Sequence, residues 1–158
     1  MNSLIIINGS NKMKVLFLDI DGVCNCATTS QRHRGFIGID PYMAFMIGQI
    51  TLEVPDLKVV LSSSWRHSKD GLDEVRSQVV DFIDITPTGM YIDGEQTLRG
   101  REIQEWLNKH PDVEKYAILD DDSDILSEQL PNFFKTSWQT GITEEIKQNV
   151  IKHFKKEN

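Results

Sequence analysis

Two kinds of apolar pattern alternate along this chain. Short unbroken runs, "VLFL" at Val15–Leu18, "VVL" at Val59–Leu61 and "AIL" at Ala117–Leu119, each stop abruptly at polar residues. That is the mark of parallel strands covered on both faces. Between them lie longer stretches in which apolar residues recur at helical spacing. Read in order, the pattern predicts a strand over Lys14–Leu18 and a polar loop or flap up to Gly38. A helix then starts from Asp40 as N-cap with Pro41 in its first turn. It runs to about Glu53, with Phe45, Met46, Ile47 and Ile50 available for packing.

A second strand follows over Lys58–Leu61, then a helix from about Ser68 with Leu72, Val75, Val79 and Phe82 on one stripe. Phe82–Ile85 reads as a third strand, stopped by Thr86-Pro87, and "TGMYIDGEQT" as an exposed loop or hairpin. A helix beginning at Arg99 or Gly100 packs through Ile103, Trp106 and Leu107 and ends at His110-Pro111. Lys115–Leu119 is the fourth strand and Phe133–Thr136 the fifth. The terminal helix is capped by Thr143, with Glu144 and Glu145 at its positive end, lysines at its negative end, and Ile146, Val150 and Phe154 on its packing face. Strands alternating with helices predict an α/β fold with a mainly parallel sheet.

Composition narrows the class without changing the picture. A chain of 158 residues suits one domain with a sizeable core. The coherent pattern begins at Met13, so 13–158 is the domain; residues 1–12, with "LIII", are an N-terminal extension or an extra edge strand. The net charge of −7 argues against a protein that coats nucleic acid through a basic surface, though a local basic groove is compatible with it. No apolar run approaches transmembrane length. Cys24 and Cys26 are too close for an unstrained disulfide and too few for zinc, which points to reduced thiols in a cytoplasmic protein. Nothing in the sequence calls for a membrane or an obligate protein partner.

The strand ends carry the chemistry. In an open parallel sheet, ligands bind beyond the carboxyl ends of the strands. The first strand ends in Asp19-Ile20-Asp21-Gly22, the second in Ser62-Ser63-Ser64, and the fourth in Asp120-Asp121-Asp122. Carboxylates this crowded repel one another unless a cation offsets them. Asp19 and Asp21 brought beside Asp120 or Asp121 make a hard-oxygen set that suits Mg²⁺. The serines can bond phosphate oxygens, Arg66 stands at the start of the next helix, and a carboxylate beside Mg²⁺ can attack phosphorus. Asp120, Asp122 and Asp124 also imitate the start of a Ca²⁺ loop, but Ile125 and Pro131 occupy the positions that need Gly and Glu. Arg32, His33 and Arg34 form a small basic cluster in the loop after the first strand, either a solvated loop or a flap that touches substrate.

These segments match a family pattern. "FLDIDGV" resembles the first motif of the haloacid dehalogenase-like (HAD) phosphatases, "VVLSSSW" the second, "LRGREI" the third and "AILDDDSD" the fourth, in the family's order. "SSSWR", "GREIQEWLNKHP" and "TGIT" further resemble a small capless branch that includes domains of RNA-repair proteins. The resemblance implies a Rossmann-like three-layer α/β/α sandwich with a minimal cap or none. It implies a phosphomonoesterase with Asp19 as nucleophile and Asp21 as general acid and base. It implies metal held by Asp19, the backbone carbonyl of Asp21 and an acid of the fourth motif, best matched by Asp121 with Asp120 as its neighbour. Ser62 or Ser63 would bind phosphate, and Gly22, Ser64 and Arg66 would contact the substrate. The third motif usually carries Lys; here Arg99 or Arg101 must replace it. The implied substrate is a phosphorylated small molecule such as a nucleotide, or a nucleic-acid 3′-phosphate end. The alternatives are a protein phosphatase or a silent phosphate-binding domain on the same fold.

Overall fold

The computed structural model describes residues 12–88, 98–157 and, as backbone, 91–92 and 95–96. The extra edge strand considered for residues 1–12 lies outside the described residues, apart from Lys12. In chain order the elements are β1 (Met13–Leu18), a hairpin of β2 (Arg32–His33) and β3 (Phe36–Ile37), α1 (Pro41–Glu53), β4 (Leu57–Leu61), α2 (Lys69–Gln78) and β5 (Asp84–Ile85). A second hairpin of β6 (Tyr91–Ile92) and β7 (Glu95–Gln96) follows, then α3 (Arg99–Asn108), β8 (Val113–Asp120), β9 (Phe133–Lys135) and α4 (Glu144–Lys155). Short 3₁₀ turns occupy Ser64–His67 and Ser127–Asn132.

The main sheet has five parallel strands in the order β5-β4-β1-β8-β9. Alternate residues of its strands face opposite layers. Leu16, Leu18, Val59, Leu61, Ala117 and Leu119 pack with Met46, Ile47 and Ile50 of α1, Val75 of α2, and Val150, Ile151 and Phe154 of α4. Val15, Phe17, Val60 and Ile118 pack with Ile103 and Trp106 of α3. The result is a three-layer α/β/α sandwich. Phe17 sets the spacing on the α3 side, meeting Trp106 edge to face at 5.5 Å and Tyr116 at 5.9 Å. Truncating so enclosed an aromatic to alanine costs about 3–5 kcal/mol.

The register aligns the strand ends. Leu18 pairs with both Leu61 and Leu119, and Leu61 with Ile85. The next residues therefore form one row across the carboxyl edge: Thr86, Ser62, Asp19 and Asp120. Backbone bonds carry the ladder through that row, from Thr86 N to Leu61 O, Ser62 N to Leu18 O and Asp19 N to Leu119 O, each 3.0 Å.

Some expectations need correction. Phe45 does not pack inward but is 62% exposed, because the inner stripe of α1 is set by Met43, Met46, Ile47 and Ile50 and Phe45 falls on the opposite face. The third strand is shorter than Phe82–Ile85. The Asp81 carboxylate accepts from Phe82 N at 2.9 Å and the Phe82 ring turns into the core; the backbone first bonds β4 through Ile83 N to Val59 O at 2.9 Å, and the paired register covers Asp84 and Ile85. Helix α2 ends at Gln78, and Val79 and Phe82 pack from the connection after it. The polar flap contains a real hairpin, β2 with β3, turning through Arg34 and Gly35, both at positive φ.

Candidate active site

Asp19 and Asp120 stand at the ends of neighbouring strands, both buried, with Asp121 just beyond. Asp19, Asp120 and Asp121 each place a carboxylate oxygen within 4.8 Å of the others. One cation of the chain sits among them. Arg99 Nη1 lies 2.9 Å from Asp120 Oδ2 and 3.2 Å from Asp19 Oδ1. Arg101 is exposed, two positions further along α3 and hence on another side of the helix.

Two glycines let these groups meet. A Cβ on Gly22, whose φ is +79°, would lie 2.2 Å from Asp121 Oδ2, so only glycine lets the turn after β1 close against Asp121. A Cβ on Gly100 would lie 2.6 Å from Leu126 N and 2.7 Å from Ile125 Cα. Its absence lets the first turn of α3 back directly onto the segment after the acidic cluster. Gln129, fully buried, fastens that junction, donating to Gly100 O at 2.8 Å and accepting from Leu126 N at 2.9 Å. Asp124 receives the helix start, its carbonyl accepting from Gly100 N at 2.9 Å. Arg99 is thereby aimed into the cluster.

Charge in the cluster is out of balance. Burial pushes the Asp19 carboxyl above its usual range, with Arg99 working against the shift. Burial, reinforced by the charge of Asp19 and opposed by Arg99, pushes Asp120 up to about 8. The guanidinium of Arg99 is the better held for it: burial opposes its charge, but Asp19, Asp120 and Asp124 outweigh that and raise its pKa. Three acid groups are crowded in a poorly solvated place, with one guanidinium against two of them, and ionising all three there is costly without a further cation. Hard oxygens so placed fit a divalent cation such as Mg²⁺.

The other residues singled out by the sequence fall as follows. Asp21 is half-buried, and its Oδ1 accepts from Asn25 Nδ2 at 2.9 Å and Trp65 Nε1 at 3.1 Å. Ser62 is fully buried, and its Oγ has no partner among the described residues. Ser63 Oγ caps the following turn, accepting from Trp65 N at 3.2 Å, and Ser64 is exposed. Asp122 is exposed, and its backbone N–H donates to Asp120 Oδ1 at 3.0 Å.

Two residues expected to contact substrate make their bonds inside the protein. Arg66 is buried and both terminal nitrogens of its guanidinium are engaged inside the protein, while Nε has no partner among the described residues. The guanidinium donates to Ser62 O and Ser63 O, both at 2.7 Å, and to Glu102 Oε2 at 2.7 Å. Burial, with the charge of Arg99, lowers its pKa against the pull of Glu102, and an unpaired guanidinium there would be costly, which is why Glu102 of α3 meets it. Arg66 shapes the serine turn from behind instead of reaching outward. Gly22 has both backbone groups engaged as well, its N–H on Asn25 Oδ1 at 2.8 Å and its carbonyl accepting from Thr136 Oγ1 at 2.5 Å. It forms a wall and offers no free donor.

Sequence reasoning missed Asn25, Trp65 as a partner of Asp21, and Glu102. Asn25 carried a weak signal, a lone amide in the loop after Asp21. The other two connect segments 44 and 36 residues apart, which no local pattern reveals.

Comparison with protein-family models matches residues 15–146 to the HAD domain in Swiss Army Knife RNA repair proteins. No curated protein matches the chain.

Proposed function

Because the chain belongs to the family of HAD domains found in Swiss Army Knife RNA repair proteins, whose fold supports a phosphatase-type hydrolase, we propose that it is a Mg²⁺-dependent phosphomonoesterase acting through an aspartyl-phosphate at Asp19. The observation that carries this reading is the meeting of Asp19, Asp120 and Asp121 within 4.8 Å around Arg99.

In this reading Asp19 Oδ attacks phosphorus, and the bond from phosphorus to the leaving oxygen breaks. Asp21 gives its proton to that oxygen. The Asp21 carboxylate then takes a proton from water as the water oxygen attacks phosphorus, releasing inorganic phosphate and regenerating Asp19. Asp19, the Asp21 carbonyl and Asp121 would hold Mg²⁺, with Asp120 beside it. When bound, the ion offsets the charge of the phosphoryl group and of the acids around it. Arg99 orients Asp19 and Asp120 and supplies fixed positive charge where the third motif ordinarily has Lys. The Ser62 hydroxyl, buried and without a partner among the described residues, is the donor to a phosphate oxygen that the geometry favours; Ser63 already caps a turn.

The described flap between β1 and α1 is one two-stranded hairpin, which supports an open site and bulky substrates. Within that class we favour nucleotides or nucleic-acid 3′-phosphate ends, on the RNA-repair family of the match. Among the described residues no helix is long and apolar enough to cross a membrane. A cytoplasmic setting belongs to the same reading, on the free thiols of Cys24 and Cys26.

The test is hydrolysis of an aryl phosphate with and without Mg²⁺, by wild type and Asp19→Asn. Turnover should require Mg²⁺ and fall at least about a thousandfold in the variant. Turnover indifferent to Asp19 overturns the mechanism, and tight phosphate binding without turnover identifies a silent binding domain.

A further inference from the structure

The side chain of Asp21 is held by more than the general-acid role requires. Two N–H donors, from Asn25 at 2.9 Å and Trp65 at 3.1 Å, converge on one of its oxygens, Oδ1. An oxygen that accepts two N–H bonds presents little lone-pair density to anything else, so the other oxygen, Oδ2, is the one left for a reacting group.

Both donors are themselves fixed. Asn25 is fully buried with its amide used at both ends: Oδ1 accepts from Gly22 N at 2.8 Å, and Nδ2 also donates to Gly38 O at 2.9 Å. Gly38 follows β3, so the same amide joins the base of the flap to the turn that carries Asp21. The indole of Trp65 is covered from the flap side by the His33 ring, stacked on it at 5.1 Å and 27°. His33 Nδ1 lies 3.8 Å from Glu74 of α2, and Arg34 at the hairpin turn pairs with Asp70. The hairpin is thus pinned to α2 and pressed on the indole whose edge grips Asp21.

We propose that Trp65 and Asn25 are positioning residues that lock the Asp21 carboxyl with Oδ2 toward the leaving-group oxygen, and that the flap steadies this grip through His33. The inference rests on the phosphatase reading above. Such orientation matters most when the leaving group is a poor one. An alkoxide must be protonated as it departs, whereas a nitrophenolate leaves with little help.

The experiment compares kcat for 4-nitrophenyl phosphate and for an alkyl monoester, glycerol 2-phosphate, in wild type, Trp65→Phe and His33→Leu. Trp65→Phe keeps a ring for His33 to stack on but removes the N–H. The alkyl-to-aryl ratio of kcat should fall about tenfold, with KM for both esters little changed. His33→Leu, which keeps the indole N–H, should lower the same ratio about threefold. Equal losses on both esters would mean a purely structural role and overturn the proposal, as would an unchanged ratio in Trp65→Phe. A wild type that hydrolyses neither ester fails the phosphatase reading itself, a result distinct from either of these.

Discussion

At the amino end of the sheet, Lys115 of β8 donates from Nζ to the His153 carbonyl in the last turn of α4 at 2.9 Å, and His153 Nε2 meets Tyr116 O at 2.8 Å. The ammonium lies where the helix dipole is negative and the free carbonyls need donors. At the carboxyl end, acids are stacked beside acids. The buried side-chain polar atoms without partners among the described residues are Ser62 Oγ, Arg66 Nε, Thr86 Oγ1, Arg99 Nε and Asp124 Oδ1, and all lie there. Both ends close the same strands, so the contrast is not forced by the fold. One end is satisfied by the protein's own groups and contributes stability. The other keeps unmet polar atoms and crowded acid groups, which fits a place completed by a cation and an anionic substrate.

The sharpest way to break this contrast is inside the acidic cluster. Asp121→Ala should raise the Mg²⁺ concentration for half-maximal activity by at least about tenfold, while Asp122→Ala, at an exposed position, should change it less than about threefold. Equal effects in a Mg²⁺ titration would misplace the metal wall. At the other end, Lys115→Met should cost about 1 kcal/mol in denaturant unfolding and leave kcat unchanged. A large loss of activity there would mean that the two ends are not separate in function.

The smallest effect concerns His153. Burial lowers its pKa in the folded protein, so the unfolded chain binds its proton more readily. Its contribution to stability is therefore present above the ordinary histidine range and lost as pH falls through that range toward the folded value. Melting temperatures followed from pH 7.5 to 5.5 should drop more steeply in wild type than in His153→Gln. Parallel curves would contradict the assignment.

Much of this was legible in the sequence because it was local. Each reactive group directly follows an apolar run, so the strand ends and the parallel α/β class could be read from contiguous residues. What was not legible depended on side-chain direction or on distant partners. Arg99 and Arg101 are equivalent in composition. The helical phase and the backbone contact at Gly100 separate them, one into the cluster and one outward. Arg66 read as a substrate contact because its position at a helix start is right; its partner Glu102 lies on another helix. Phe45 shared a helix with core residues but not their face. The β2–β3 hairpin pairs only Arg32 with Ile37 and His33 with Phe36, too short to leave an alternating pattern.

The central claim is a covalent phosphoryl group on Asp19, and it can be observed directly. Protein mixed with substrate and Mg²⁺, quenched during turnover and treated with borohydride, should carry homoserine in place of aspartate at position 19, since an acyl phosphate is reduced where a free carboxylate is not. Omitting substrate or Mg²⁺ should abolish the modification. Sustained turnover with Asp19 unmodified, or homoserine at another aspartate, would contradict the account.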